Sequence, residues 1–355
     1  MDNLAHTLVG AALGRAVGDG RLPYPVLVGA IAANAPDGAE ILVAPGCWRL
    51  HVDARCLDAH RGITHSFLGA LVEIVVLAAI VGLVARVASD RPARPAEAWR
   101  AITACVAAAV LSHLYLDWQG SYGLRPFLPW SARWYYADWV AIVDPFFWLV
   151  PLVALAWGAE RHWAPALVFL LGFVGVTTLV FWLGGELVVW WVRVGLVAGV
   201  VVALIGWTRH WFGVAGRRRA AVYGLLLLAG YAGAQGGASV VAKRRARAAA
   251  LARFGPAASG VALTVAGRPF TWDRLAVSPE SVAGTGWAIA RHLDAPAVRR
   301  ALATPNGRAL AAFARVLSAA LDTSGPERRV WLWDARFHAA QSGARGWAAV
   351  AVPVR

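Results

Sequence analysis

The chain is poor in charge. Asp, Glu, Lys and Arg make up 15% of its 355 residues, where a soluble globular domain carries about 25%. That scarcity excludes a disordered, self-solvating polymer. Its 36 glycines follow no triplet period, which excludes a collagen-like rod. Its three cysteines (Cys47, Cys56 and Cys105) form no CxxC motif and are too few for a disulfide scaffold. Cys47 and Cys56 share one loop and can pair in an oxidising compartment; the reading adopted from sequence is free thiols. What the chain has in excess is apolar: 59% of residues are AVILMFWYC. Several runs exceed the roughly 18 residues that mark a membrane span. An integral membrane protein is expected. The net charge of +14 comes almost entirely from arginine. No basic helix or zinc-finger pattern accompanies it, so cytoplasmic loops and anionic lipid headgroups explain it, and nucleic acid is not expected as a partner.

The expected fold is mainly α, a polytopic transmembrane helical bundle with a small C-terminal soluble α+β domain. Met1-Asp2-Asn3 lacks the basic start of a signal peptide. Residues 4–36 hold two short apolar segments carrying Gly10, Gly14 and Gly29, which predict a tightly packed hairpin or a re-entrant pair rather than two ordinary spans. Spans are expected at about 66–85, 99–117, 139–157, 164–183, 187–207 and 220–242, completing a membrane region over 1–242. A basic linker at 243–255 follows. The tail, 256–355, alternates β-like runs (261–265, 330–333, 347–354) with one amphipathic helix near 296–321. Counting arginines in alternate loops gives eleven against five, which puts the 15–21, 86–100, 158–163 and 208–219 loops in the cytoplasm. The cluster at 243–247 then falls outside, against that rule.

The histidines and carboxylates are distributed unevenly. His6 begins the first short helix and Asp37 ends the second. His60 and His65 precede the 66–85 span, His113 and Asp117 close the 99–117 span, and Asp138 and Asp144 open the next. Following the chain back and forth, all eight fall at one membrane face, whichever way the protein is inserted. His113 and Asp117 are four residues apart, hence on one helical face. Imidazole and carboxylate together suit zinc or another first-row divalent ion. Structural readings stand beside this one. Asp37 fits an ordinary turn after Pro36, and His113 with Asp117 a hydrogen-bonded pair. Asp138 and Asp144 fit helix caps, with capping favoured for Asp138. His51, His162 and His210 read as loop residues, and the many tryptophans near span ends as an interfacial belt.

Four ordered motifs carry a resemblance. Met1-Asp2-Asn3-Leu4-Ala5-His6-Thr7-Leu8-Val9-Gly10, Ala32-Ala33-Asn34-Ala35-Pro36-Asp37, His60-Arg61-Gly62-Ile63-Thr64-His65-Ser66 and His113-Leu114-Tyr115-Leu116-Asp117 closely resemble bacterial inner-membrane, predicted metal-dependent hydrolases of the YdjM type, also called DUF457. That family is distantly similar to zinc-dependent phospholipase C and the P1-type nucleases. The resemblance implies metal ligands at His6, Asp37, His60, His65, His113 and Asp117, and one or more divalent ions, zinc foremost. The family often has Pro-Asp-x-Asp where this chain has Pro36-Asp37-Gly38-Ala39, with Glu40 one place later. Either a ligand is lost or Glu40 takes its place.

The function expected is a membrane-bound hydrolase using metal-activated water. Asp117 or Asp144 would be general base, and Arg61 would steady an anionic group, unless it pairs with Asp58 or a headgroup. Membrane lipids are the expected partners and a phospholipid or lipid-linked phosphodiester the expected substrate, with the site on the periplasmic face of a bacterial inner membrane. A transporter would instead need ionisable groups at mid-bilayer, where Glu73 and Arg193 are the few candidates. A non-catalytic, metal-stapled membrane protein is the other alternative. Oligomeric state is not read from the sequence.

Overall fold

A computed structural model describes residues 1–45, 47, 54–88, 95–160, 162–323, 328–337 and 348–353. His51, Arg49, Arg91, Arg94, Arg161 and the first and last residues of the 347–354 run lie outside the described residues. The chain divides into two compact units. The first comprises Met1–Asp37, Thr64–Gly237 and Thr264–Thr271; the second comprises Gly38–Ile63, Ala238–Leu263 and Trp272–Arg355.

The first unit opens with α1 (Asn3–Gly18), capped by Asp2, whose carboxylate accepts the Ala5 N–H at 3.0 Å. Helix α2 (Pro25–Ala33) returns along it with a proline in its first turn. A Cβ added at Gly10 would sit 2.5 Å from the Gly29 carbonyl oxygen, and one at Gly29 would overlap the Gly10 oxygen. Only glycine allows this backbone-to-backbone approach. After Asn34 the chain bends by 45° into α3 (Ala35–Val43), and α4 (Ala54–Ala59) follows.

Then come α5 (Phe67–Ala88) and α6 (Pro95–Trp118). Among the described residues five stretches are long and apolar enough to cross a membrane: Phe67–Arg86, Ala96–Trp118, Trp163–Trp182, Trp190–Thr208 and Gly213–Phe254. The bent α2–α3 pair would make a sixth. The α6 window is 56% buried and the Trp163–Trp182 window 11%, so α6 is central and the latter faces lipid. Ile102, Val106, Ala109 and Val110 of α6 pack with Ala32, Ala33, Ala70 and Ala78 of the neighbouring helices.

Two expected segments differ. The 139–157 span shrinks to α7 (Pro145–Trp157), 13 residues, about 20 Å long against a hydrocarbon core of about 30 Å. Hydropathy alone does not register that Asp144-Pro145 is a helix start. Beyond α8 (Trp163–Thr178), a π-helical turn at Leu179–Leu183, and α9 (Trp190–Thr208), α10 (Gly213–Phe254) runs unbroken for 42 residues. The expected linker at 243–255 is therefore helical to Phe254. Its Ala and Arg are strong helix formers, and the stop is Gly255 at φ +79°.

The second unit holds two antiparallel sheets. One orders β1 (Ser259–Thr264), β2 (Trp272–Val277), β3 (Ser281–Gly284) and β4 (Trp287–Ala290); the other orders β5 (Leu317–Asp322), β6 (Arg329–Asp334) and β7 (Ala349–Pro353). The single helix expected near 296–321 is instead α11 (Pro296–Leu302), α12 (Pro305–Phe313) and then β5. Thr304 restarts the helix by accepting the Gly307 N–H at 3.1 Å. Helix α4 packs on α12, so the 38–63 segment and the tail form one body. Cys47 and Cys56 are joined in a disulfide in that segment, which overturns the free-thiol reading. Cys105 is a buried free thiol.

Candidate metal centre

Five of the six expected metal ligands belong to the first unit, and the fold brings them together. Asp37 stands just past the α2–α3 break, His65 ends a short 3-10 turn before α5, His113 and Asp117 share a face of the last turns of α6, and His6 lies on α1. His65 Nε2 is 3.1 Å from His113 Nε2, 3.2 Å from Asp37 Oδ1 and 3.6 Å from Asp117 Oδ2. His113 Nε2 is 3.6 Å from both Asp37 Oδ1 and Asp117 Oδ2. A tetrahedron of ligands at zinc distances has edges of about 3.3 Å. These five separations match it.

The hydrogen-bonding pattern makes the match chemical as well as geometric. His113 Nδ1 lies 2.7 Å from the Ala33 carbonyl oxygen. A carbonyl only accepts, so Nδ1 carries the proton and Nε2 offers its lone pair to the centre. Asn3 Nδ2 donates to Asp37 Oδ2 at 2.9 Å, leaving Oδ1 turned towards the histidines. Thr64 Oγ1 lies 2.9 Å from His65 Nδ1. His65, His113, Asp117 and His6 are buried, while the Asp37 side chain is 31% exposed and opens the cluster to its surroundings.

His6 stacks on the His113 ring with centroids 3.8 Å apart, and its Nε2 is 3.3 Å from Asp117 Oδ1. Both of its ring nitrogens are buried without a hydrogen-bond partner. Burial holds this imidazole below its ordinary pKa against the pull of the Asp117 carboxylate, which keeps it in the neutral, ligating form. Orphaned donor-acceptor atoms this deep are costly, and a cation resolves them. The residues present therefore fit a divalent metal. Asp117 turns Oδ2 to the His65–His113 group and Oδ1 to His6 and the Met1 α-amino nitrogen, the latter at 2.5 Å. Its two oxygens face two ligand sets.

His60 and Arg61 belong to the second unit, where His60 Nδ1 meets Glu40 Oε1 at 2.7 Å and the Arg61 N–H donates to Glu40 Oε2 at 3.0 Å. Asp144 caps α7 through the Phe146 N–H at 3.0 Å and accepts from Tyr231 at 2.8 Å and Gln235 at 3.0 Å. Its carboxylate is occupied by these three donors, and the cap favoured for Asp138 belongs to Asp144. Asp138 is buried with φ +54°. Asn3 and the Ala33 carbonyl were missed from the sequence. Asn3 carries a signal, one turn before His6-Thr7, whereas a backbone carbonyl carries none.

A family model described as YdjM inner membrane protein matches residues 1–207, the stretch that contains all five converging candidate ligands. The chain belongs to the YdjM inner membrane protein family. Its apolar helices are accordingly those of a multi-pass inner-membrane protein. The uncharacterized protein YfhP of Bacillus subtilis (strain 168) is 28% identical over 179 residues, covering 48% of this chain and 50% of that protein. The chain thus spans about half the length of that curated relative. No solved structure matches. Within the YdjM region, the ligand cluster falls at helix ends that the membrane spans themselves define.

Proposed function

We propose that this YdjM-family chain is a metal-dependent hydrolase acting at the membrane face on a phospholipid or other phosphodiester. The observation that carries the reading is the convergence of Asp37 Oδ1 and Asp117 Oδ2 on the paired His65 Nε2 and His113 Nε2, with separations of 3.1–3.6 Å. His6 stands beside it. Zinc is the ion the donor set favours, two imidazoles with two carboxylates and no thiolate. Bound there, a divalent ion makes water acidic enough to ionise near neutral pH and polarises a phosphoryl or carbonyl oxygen.

The protein's own residues supply the rest. The Ala33 carbonyl and Asn3 fix the orientation of His113 and Asp37. Asp117, with an oxygen towards His6, is the carboxylate placed to accept a proton from water. Asp37 is the exposed member, so substrate approaches on its side. The membrane depth supports a lipid substrate: His65 stands two residues before Phe67, where one span begins, and Asp117 one residue before Trp118, where another ends. Both lie at the headgroup boundary. The disulfide of the 38–63 segment supports an oxidising, periplasmic location for the second unit.

The test is elemental mass spectrometry of detergent-purified wild type beside His113→Ala/Asp117→Ala, followed by turnover of a phosphodiester lipid panel. Near-stoichiometric zinc or manganese, lost in the double variant together with lipid turnover, is the expected result. A folded wild type, never exposed to chelator, that holds no metal would overturn it. Metal without turnover of any phosphodiester would leave a metal-stapled membrane protein instead.

A further inference from the structure

The loop over residues 121–136 lies in the first unit between the end of α6 and α7. Its sixteen residues include six aromatics and two arginines and no Asp or Glu. Backbone bonds between Leu124 and Tyr135, at 2.9 and 3.1 Å, pinch it into a hairpin. The Phe67 N–H donates to the Pro126 carbonyl at 2.9 Å, and the Phe67 and Phe127 rings pack edge to face with centroids 5.6 Å apart. The loop is therefore tied to the first residue of a membrane span. Its tip nevertheless presents Trp130, 77% exposed, and Phe127, 43% exposed. Arg133 is exposed and stacks over Tyr135 at 5.4 Å.

Aromatic rings exposed at the height where a span begins belong to the membrane–water interface, where an amphipathic ring is at its most stable. A guanidinium at that depth, with no acid in its own segment, matches lipid phosphate oxygens. We propose that the 121–136 loop is a lipid-binding apron, with Trp130 and Phe127 inserted below the headgroups and Arg133 on a lipid phosphate. The apron starts four residues after Asp117 and is bonded to Phe67, two residues after His65. These ties join it to the segments that carry Asp117 and His65. Building on the hydrolase reading, this makes the substrate a phosphate-bearing lipid that arrives sideways from the leaflet rather than from bulk water.

The experiment places a spin label at Trp130→Cys in the full chain, in nanodiscs of phosphatidylethanolamine and phosphatidylglycerol. Cys47 and Cys56 are bonded and Cys105 is buried, so the introduced thiol takes the label. A label at exposed Asp273→Cys of the second unit is the aqueous reference. The expected result is a several-fold higher collision rate at position 130 with membrane-soluble oxygen than with an aqueous nickel chelate, reversed at position 273. In detergent, short-chain phosphatidylglycerol should raise the melting temperature of wild type, inorganic phosphate should not, and Trp130→Ala/Arg133→Gln should abolish the lipid response. A label at 130 as water-accessible as at 273, or an unchanged lipid response in the double variant, would overturn the apron. Metal content is measured on the same samples. A metal-free protein whose loop is immersed would sink the hydrolase reading and leave the apron standing.

Discussion

Two buried carboxylates in the first unit are surrounded in opposite ways. Asp144 is met by donors: a tyrosine hydroxyl, a glutamine amide and a backbone N–H all point at it, and Gln235 in turn accepts the Phe270 N–H at 3.0 Å. Asp117 is met by the imidazoles of His65 and His113 on one oxygen, and by the His6 imidazole and the Met1 α-ammonium on the other. A carboxylate ringed by donors is a finished hydrogen-bond network that holds helices together. A carboxylate grouped with imidazole nitrogens and a second carboxylate is instead a donor set that a divalent cation would fit. Both residues are buried aspartates near helix ends, so exposure alone does not separate them. The character of the neighbours does.

The contrast can be broken most directly by chelation. Stripping the wild type of metal is expected to lower unfolding stability by about 4 kcal/mol, the linkage for a cation present at a thousand times its Kd. The same treatment should leave His113→Ala unmoved in thermal denaturation. Equal responses from the two proteins would show that the cluster holds no stabilising ion.

The next effect belongs to Asp144. Burial pushes its carboxyl up to about 6 despite the three donors, from an ordinary 3.8. The folded state therefore keeps a proton that the unfolded chain has released. Stability is highest below about pH 4, falls as pH rises through about 6, and is flat beyond; the total fall is about 3 kcal/mol. Asp144→Asn should remove that slope while retaining full metal content. A slope that survives the substitution would assign it to other groups.

The smallest effect concerns the disulfide. Cys47→Ser/Cys56→Ser should destabilise the second unit by about 2–3 kcal/mol, as expected for closing a short loop, with metal content unchanged. Alkylation of the unreduced, denatured wild type should modify Cys105 alone. Three reactive thiols would contradict the bond.

Much of this architecture was legible in the sequence. Hydropathy located the long spans, because a twenty-residue apolar run has few other uses. The His113/Asp117 spacing and the placement of His6, Asp37 and His65 at segment ends pointed to one membrane face, since helices that cross and return bring alternate ends together. What stayed hidden depends on local bonding rather than pattern. Asp144-Pro145 starts a helix that hydropathy extends backwards to 139, and Thr304-Pro305 breaks one that periodicity runs through. The stretch 243–255 reads as a basic linker by composition, although a solvated helix carries charge well and α10 runs through it to Phe254. His60 Nδ1 meets Glu40 Oε1, a pairing across twenty residues that no short pattern reveals.

The close approach of Gly10 and Gly29 bears on ligands that neither residue touches. Helix α1 carries His6, and α2 leads through the Ala33 carbonyl to Asp37. The distance between these two backbones thus works as a gauge that sets how far one half of the cluster stands from the other. Enlarging either glycine would widen that gauge, and the affinity of the proposed centre for a divalent ion would report on helix spacing with every candidate ligand still in place.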